Sequence, residues 1–331
     1  MLENKFDARL VPFGGQELDF FSHRAVTNTW QEFAIKVQTI LQEHSAATPE
    51  SLQTIEDRYT DFLKEQGIIS DDLPKPVVFV NSDQTPIIDE ELRAIGSAFV
   101  EDSMGFSSVL YGNVVVLKKE YSEYNHVWAI AEEMYHSLGE QVIAYNPKTA
   151  IYVRRGFDLS RTGESDYGWF LEEAIAKYYS YLFVKKLVSE GMLTEDSKRF
   201  EKKIHYFAEN GRYRDDKVIF KDNRFFANPF LCFLKQRENE GETIDVLALQ
   251  TPDIIAADIF LDLLNQLNEE DRQLLLKKLN EARKDHTKIA AAANLLDSLF
   301  GNGTYISLMK CEATFESVFE LREKFKSKLQ K

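Results

Sequence analysis

The stretch that decides the fold is EEMYH at residues 132–136, inside a helix predicted over residues 122–138. Residues four apart stand one above the other on a helix, so Glu132 and His136 project from the same face. Glu133 lies about 100° around the helix axis from Glu132. This spacing places two carboxylates and an imidazole on neighbouring positions, which is the geometry of a metal-binding helix.

The rest of this helix is apolar. Val127, Ala131, Met134 and Leu138 form a stripe at helical spacing, which predicts that one side packs against a core.

A second acidic pair lies in the helix predicted over residues 167–190. Glu172 and Glu173 follow Phe170-Leu171 and precede Ala174, so they interrupt an apolar run. Burying carboxylates without a partner is unfavourable, and a cation would offset that cost. The pair therefore indicates a second element of a cation site.

The element order over residues 74–190 is a strand pair, the helix with Glu133 and His136, a hairpin, and the helix with Glu173. This order resembles the gluzincins, the zincin metallopeptidases in which an HExxH helix is followed by a helix that supplies a glutamate ligand. The resemblance implies that Glu133 is the general base, His136 the second metal ligand and Glu173 the third. Glu132 occupies the first-ligand position, where the family has histidine.

The glutamate at position 132 gives the site a second anionic ligand. Such a centre is less Lewis-acidic, and its oxygen-rich ligands suit manganese or iron better than a two-histidine site does. Carboxylates also bind zinc, so the substitution weakens a zinc site without forbidding it. We expect zinc to be weakly held or lost, with another divalent metal as the alternative.

The same residues have simpler explanations, which the sequence leaves open. Glu132, Glu133 and His136 could form a solvated helix face, with Glu140 one turn further along. Glu173 could make a surface ion pair with Lys177, four residues later.

The expected fold is α+β and predominantly helical. Residues 1–72 form an N-terminal helical segment, residues 73–190 a zincin-like core, and residues 191–331 a C-terminal helical segment packed as one unit with the core. Strands are predicted at residues 77–80 and 107–118, the latter a pair turning at Gly112-Asn113. Helices are predicted at residues 27–43, 48–67, 89–99, 194–210, 252–267, 269–284, 288–300 and 314–328.

Composition narrows the function classes. The chain has 44% hydrophobic and 28% charged residues and a formal net charge of −14, which argues against nucleic acid as the main partner. Cys232 and Cys311 form no CxxC pair, so the sequence suggests neither a disulfide framework nor a thiolate metal site. Residues 1–10 lack the apolar core of a signal peptide and no run is long enough to cross a bilayer, so we expect a cytoplasmic protein.

Three functions are consistent with these residues. The first is a zincin-like metallopeptidase homologue with an altered metal site, inactive or weakly active. The second is a non-catalytic descendant that binds a peptide or protein, and the third is an active peptidase with a Glu/His/Glu metal site. In each case we expect an extended peptide to join the sheet along the strand at residues 114–118.

Overall fold

The computed structural model describes residues 9–12, 20–70, 73–99, 104–108, 110–119, 122–146, 149–161, 164–194, 235–239, 242–246 and 252–329. The fold is α+β and predominantly helical, as predicted. The described helices are α1 (Phe20–Glu43), α2 (Ile55–Glu65), α3 (Thr85–Ala94), α4 (Glu123–His136), α5 (Trp169–Ser189), α6 (Pro252–Asn265), α7 (Glu269–Lys284), α8 (Ile289–Phe300), α9 (Thr304–Met309) and α10 (Phe315–Leu329). In this part of the chain, no helix combines the length and the apolar character that a membrane span requires.

The described strands form three sheets. They are β1 (Arg9–Pro12), β2 (Val77–Asn81), β3 (Gly105–Ser108), β4 (Gly112–Leu117), β5 (Gln141–Asn146), β6 (Thr149–Arg155), β7 (Asp158–Arg161), β8 (Glu164–Tyr167), β9 (Lys235–Asn239) and β10 (Glu242–Val246). Their orders are β2-β4-β3, β1-β5-β6-β7-β8 and the pair β10-β9.

The three-stranded sheet has apolar packing on both faces. Phe79 and Val115 belong to the main core, whereas Val80, Val114 and Val116 pack on the other face with residues of α1 and α3. Alternate side chains of a strand point to opposite faces, which explains why this valine-rich run is buried throughout.

The geometry of this sheet corrects two predictions, one on its edge strand and one on its turn. Strand β4 lies between β2 and β3, to which it pairs in parallel and antiparallel fashion respectively, so residues 114–118 cannot be the edge that accepts a peptide. The outer strand on that side is β3. The turn also lies earlier than Gly112-Asn113: the Ser108 hydroxyl accepts the backbone N–H groups of Leu110 and Tyr111, and Gly112 begins β4.

The main core surrounds α4, which packs against α5, α2 and the three-stranded sheet. Helices α6 and α7 contribute buried leucines and isoleucines to the same apolar cluster as α4 and α5. The C-terminal helices therefore share one core with the helices that carry the site residues.

Several elements differ from their predicted bounds. Helix α3 begins at Thr85, where Pro86 suits the first turn, and the helix predicted over residues 48–67 is a 3-10 turn at Glu50–Leu52 followed by α2. Strand β1 pairs in parallel with β5 inside the segment predicted to be helical, and the short helix α9 was not predicted. The helix predicted over residues 194–210 lies outside the described residues, apart from residue 194.

Candidate metal centre

Helix α4 directs its polar residues into the protein. Glu133 and His136 are only 7% and 2% exposed. The interpretation of these residues as a solvated helix face is therefore wrong. Glu140, which was to support that face, instead pairs with Arg154 at 3.0 Å and with His286 at 3.2 Å.

His136 lies between the two glutamates of α5. Its Nδ1 is 2.9 Å from Oε1 of Glu172, and its Nε2 is 3.5 Å from Oε1 of Glu173. A histidine that ligates a metal through one ring nitrogen usually donates the N–H of the other to a carboxylate, which fixes the orientation of the ring. Glu172 is placed for that orienting role, while Nε2 faces Glu173.

Glu172 is fully buried and belongs to a network that spans three helices. The Arg283 guanidinium of α7 donates to both of its oxygens, with Nε 2.8 Å from Oε2, and the backbone N–H of Phe157 donates to Oε2 at 3.0 Å. Burial disfavours the charged carboxylate, but Arg283 and His136 together outweigh this effect and hold the pKa of Glu172 well below its ordinary value. Glu172 is thus an anion that orients His136.

A glycine makes room for this carboxylate. Gly156 follows β6 with a φ of +60°, and a Cβ added there would lie 2.2 Å from Oε2 of Glu172. Any side chain would displace Glu172 or the turn, and it would also be strained in the left-handed backbone conformation.

Glu173 faces the cleft. Its Oε1 lies 3.5 Å from His136 Nε2 and 3.6 Å from Nη2 of Arg155 on β6. Burial raises the pKa of this carboxyl and the nearby His136 lowers it, with a net result of about 2. The surface ion pair with Lys177 is therefore not the setting of Glu173, since this carboxylate is largely buried beside His136 and Arg155.

Both oxygens of Glu132 are engaged. The Lys177 ammonium donates to Oε1, and the Trp128 indole Nε1 donates to Oε2 at 3.0 Å. Lys177 also pairs with Oδ2 of Asp253 at 2.9 Å. The residue at the first-ligand position therefore already binds a cation that the chain itself supplies.

Glu133 lies against the outer strand of the small sheet. A Cβ added to Gly105 of β3 would lie 3.0 Å from the Glu133 Cγ and 3.1 Å from its Oε1, so a larger residue at position 105 would crowd the carboxyl. Burial raises the pKa of Glu133 to about 8, against the lowering effect of His136. A carboxyl with a pKa near neutrality is suited to proton transfer.

The distances permit a metal ion. Glu132, His136 and Glu173 each offer one ligand atom, and these atoms all lie within 4.8 Å of one another. Tetrahedral zinc with bonds of about 2.0–2.2 Å separates neighbouring ligand atoms by about 3.4 Å, close to the 3.5 Å between His136 Nε2 and Glu173 Oε1. The three residues could hold a metal ion, and the Lys177 ammonium at Glu132 is the competing cation.

The cleft above these residues has a volume of about 490 Å³. Its walls come from β3, α4, Arg155 at the end of β6, the first turns of α5 and α6, and Ala313. The strand that lines this cleft is β3, and the strand at residues 114–118 does not reach it.

The sequence-predicted site residues Glu132, Glu133, His136 and Glu173 all reach this cleft. Sequence reasoning missed the roles of Arg283, Arg155 and Asp253. The acidic pair inside an apolar run was a signal that Glu172 needs a buried cation, but nothing in the local sequence of α7 indicated that Arg283 is that cation.

Comparisons of the chain with protein-family models, with curated proteins and with solved structures gave no match. The resemblance to the zincins is therefore carried by the element order and the site residues alone, and no family is identified for this chain.

Proposed function

We propose that this chain is a zincin-like metallopeptidase homologue with an altered metal site, which binds an extended peptide or protein segment in its cleft and hydrolyses it slowly or not at all. The observation that best supports this proposal is that Lys177 and Trp128 both donate hydrogen bonds to the carboxylate of Glu132. A metal at this site would compete with the Lys177 ammonium for Glu132, its first ligand.

A divalent ion, zinc or the more oxygen-seeking manganese or iron, would supply Lewis acidity and an acidified water to this site. The chain's own residues have definable roles beside it. Glu172 fixes the ring of His136, Glu173 offers a carboxylate oxygen, and Glu133 accepts or holds a proton at the cleft wall.

Peptide binding is supported by the position of β3. It is one of the two outer strands of the described three-stranded sheet, and Gly105, Phe106 and Ser107 line the cleft. An outer strand can accept an extended peptide through backbone hydrogen bonds, with the neighbouring cleft receiving alternate side chains.

A library of fluorogenic peptides distinguishes binding from cleavage. We expect some peptides to bind, by fluorescence anisotropy, and turnover in the presence of Zn²⁺ or Mn²⁺ to be very slow or undetectable. Rapid metal-dependent turnover that Glu133→Gln abolishes would contradict the proposal. It would establish the second candidate, an active peptidase with a Glu/His/Glu site, which the 3.5 Å spacing of His136 and Glu173 favours.

A further inference from the structure

Lys177 is a buried cation that pairs with two residues of the cleft wall. It lies one helical turn after Glu173 on α5, and its side chain is 7% exposed. Its ammonium contacts a carboxylate of α4, Glu132, and a carboxylate from the first turn of α6, Asp253. A buried ammonium is stable only when it is paired and hydrogen-bonded, as it is here.

The same carboxylate is shared between this ammonium and the possible metal site. Oε1 of Glu132 accepts from Lys177, and Glu132 is also one of the three residues whose ligand atoms lie within 4.8 Å of one another. A divalent ion bound by Glu132 would therefore lie within a few ångströms of a fixed positive charge. At such a distance, and with little water between the charges, the repulsion is large.

We propose that the Lys177 ammonium is the resident cation of this cleft, which neutralises Glu132 and Asp253 in place of a divalent metal and keeps metal affinity low. The proposal rests on the proposed function, because it gives the physical reason for the altered metal site. Lys177 is thus a residue that determines metal occupancy, through Glu132, without itself being a ligand.

The removal of this charge tests the proposal. In Lys177→Met, Glu132 and Asp253 lose their ammonium, and the full chain should bind Mn²⁺ and Zn²⁺ at least about tenfold more tightly than the wild type does. Isothermal titration calorimetry measures the affinity, and the unfolding temperature with and without metal provides a second readout. Adding His136→Gln to Lys177→Met should remove the gain, which would locate the ion at this site.

Two matched variants control for charge and position. Lys177→Arg keeps a cation beside Glu132 and should leave metal affinity near the wild-type value. Lys186→Met removes a lysine from the same helix, where it pairs with Glu65 at the surface, and should also leave it unchanged. A folded Lys177→Met protein with wild-type metal affinity, or an equal gain in Lys186→Met, would overturn the proposal.

Lys177→Met leaves two carboxylates without their ammonium and could unfold in the presence of a chelator. In that case Mn²⁺ or Zn²⁺ should restore the folded state, since the metal takes over the role of the ammonium. If metal does not restore it, Lys177 only stabilises the fold and the proposal is wrong. Rapid peptide cleavage by the wild type would refute the proposed function, whereas these affinities test Lys177 alone.

Discussion

At the scale of single residues, Glu132 and Lys177 are two linked features of the site. Glu132 takes the first-ligand position in the proposed zincin-like site, and Lys177, 45 residues later, donates to it. Neither residue is informative alone, because a helix glutamate and a helix lysine are ordinary surface residues. Their burial together shows that the carboxylate is neutralised within the fold.

The linked pair predicts how the metal site can be rebuilt. Glu132→His supplies a nitrogen ligand but leaves the Lys177 ammonium beside it, so zinc occupancy should rise only modestly. In the double variant Glu132→His/Lys177→Met, the free energy of zinc binding should improve by more than the sum of the changes in the two single variants. Zinc content per chain after dialysis measures this coupling, and strictly additive effects would show that the two positions act independently.

Glu133 should make stability depend on pH. Its pKa is raised from 4.5 to about 8 in the folded protein, so its neutral form is favoured there. The resulting stabilisation is complete below the unfolded value and is lost as the pH rises through about 8. One pKa unit corresponds to about 1.4 kcal/mol, so relative to Glu133→Gln the wild type should lose on the order of 1 kcal/mol or more between about pH 5 and pH 8. Denaturant unfolding in chelator measures the difference, and parallel pH profiles for the two proteins would rule out the raised pKa.

At the scale of elements, three helices set the position of His136. Arg283 of α7 holds Glu172 of α5, and Glu172 holds the imidazole of α4. This chain of contacts ties the C-terminal helices to the site, although α7 contributes nothing to the wall of the cleft.

Removing the arginine should therefore destabilise the protein strongly. Arg283→Met leaves the Glu172 carboxylate buried without its main partner, and breaking a buried pair in this way costs about 3–5 kcal/mol. Lys278→Met is the matched control on α7, because Lys278 makes a half-exposed pair with Glu281 worth about 0.5 kcal/mol or less. The free energy of unfolding in urea measures the stability that each variant loses. A loss for Arg283→Met as small as that of Lys278→Met would contradict the role given to Glu172.

The elements also show what local sequence can and cannot predict. Helix α4 was predicted because its apolar residues recur at helical spacing, and the ExxH spacing and the Glu-Ala of the following helix placed His136 and Glu173 together. Strand order was not predictable, because residues 77–80 and 114–117 are equally apolar and periodicity carries no information on which strand is central. Arg283 lies 111 residues from Glu172 in sequence, and a contact at that separation leaves no local pattern.

At the scale of the whole molecule, one core joins the C-terminal helices to α4 and α5, and the cleft lies where this core meets β3. Glu132, Glu133, Glu173 and Asp253 line the described part of the cleft together with His136 and Arg155, and Lys177 pairs with Glu132 and Asp253. Burial favours the neutral form of Glu133, and the other three acidic groups lie beside cations of the chain itself. These contacts explain how four acidic residues can line one cleft without requiring a metal.

The metal content of the purified wild-type protein tests the altered-site account most directly. Elemental analysis after purification without added metal is compared with that of His136→Gln, in which the imidazole ligand is gone. We predict that the two proteins carry the same low amount of zinc, manganese and iron. One tightly held metal ion per chain in the wild type, absent from His136→Gln, would contradict the account.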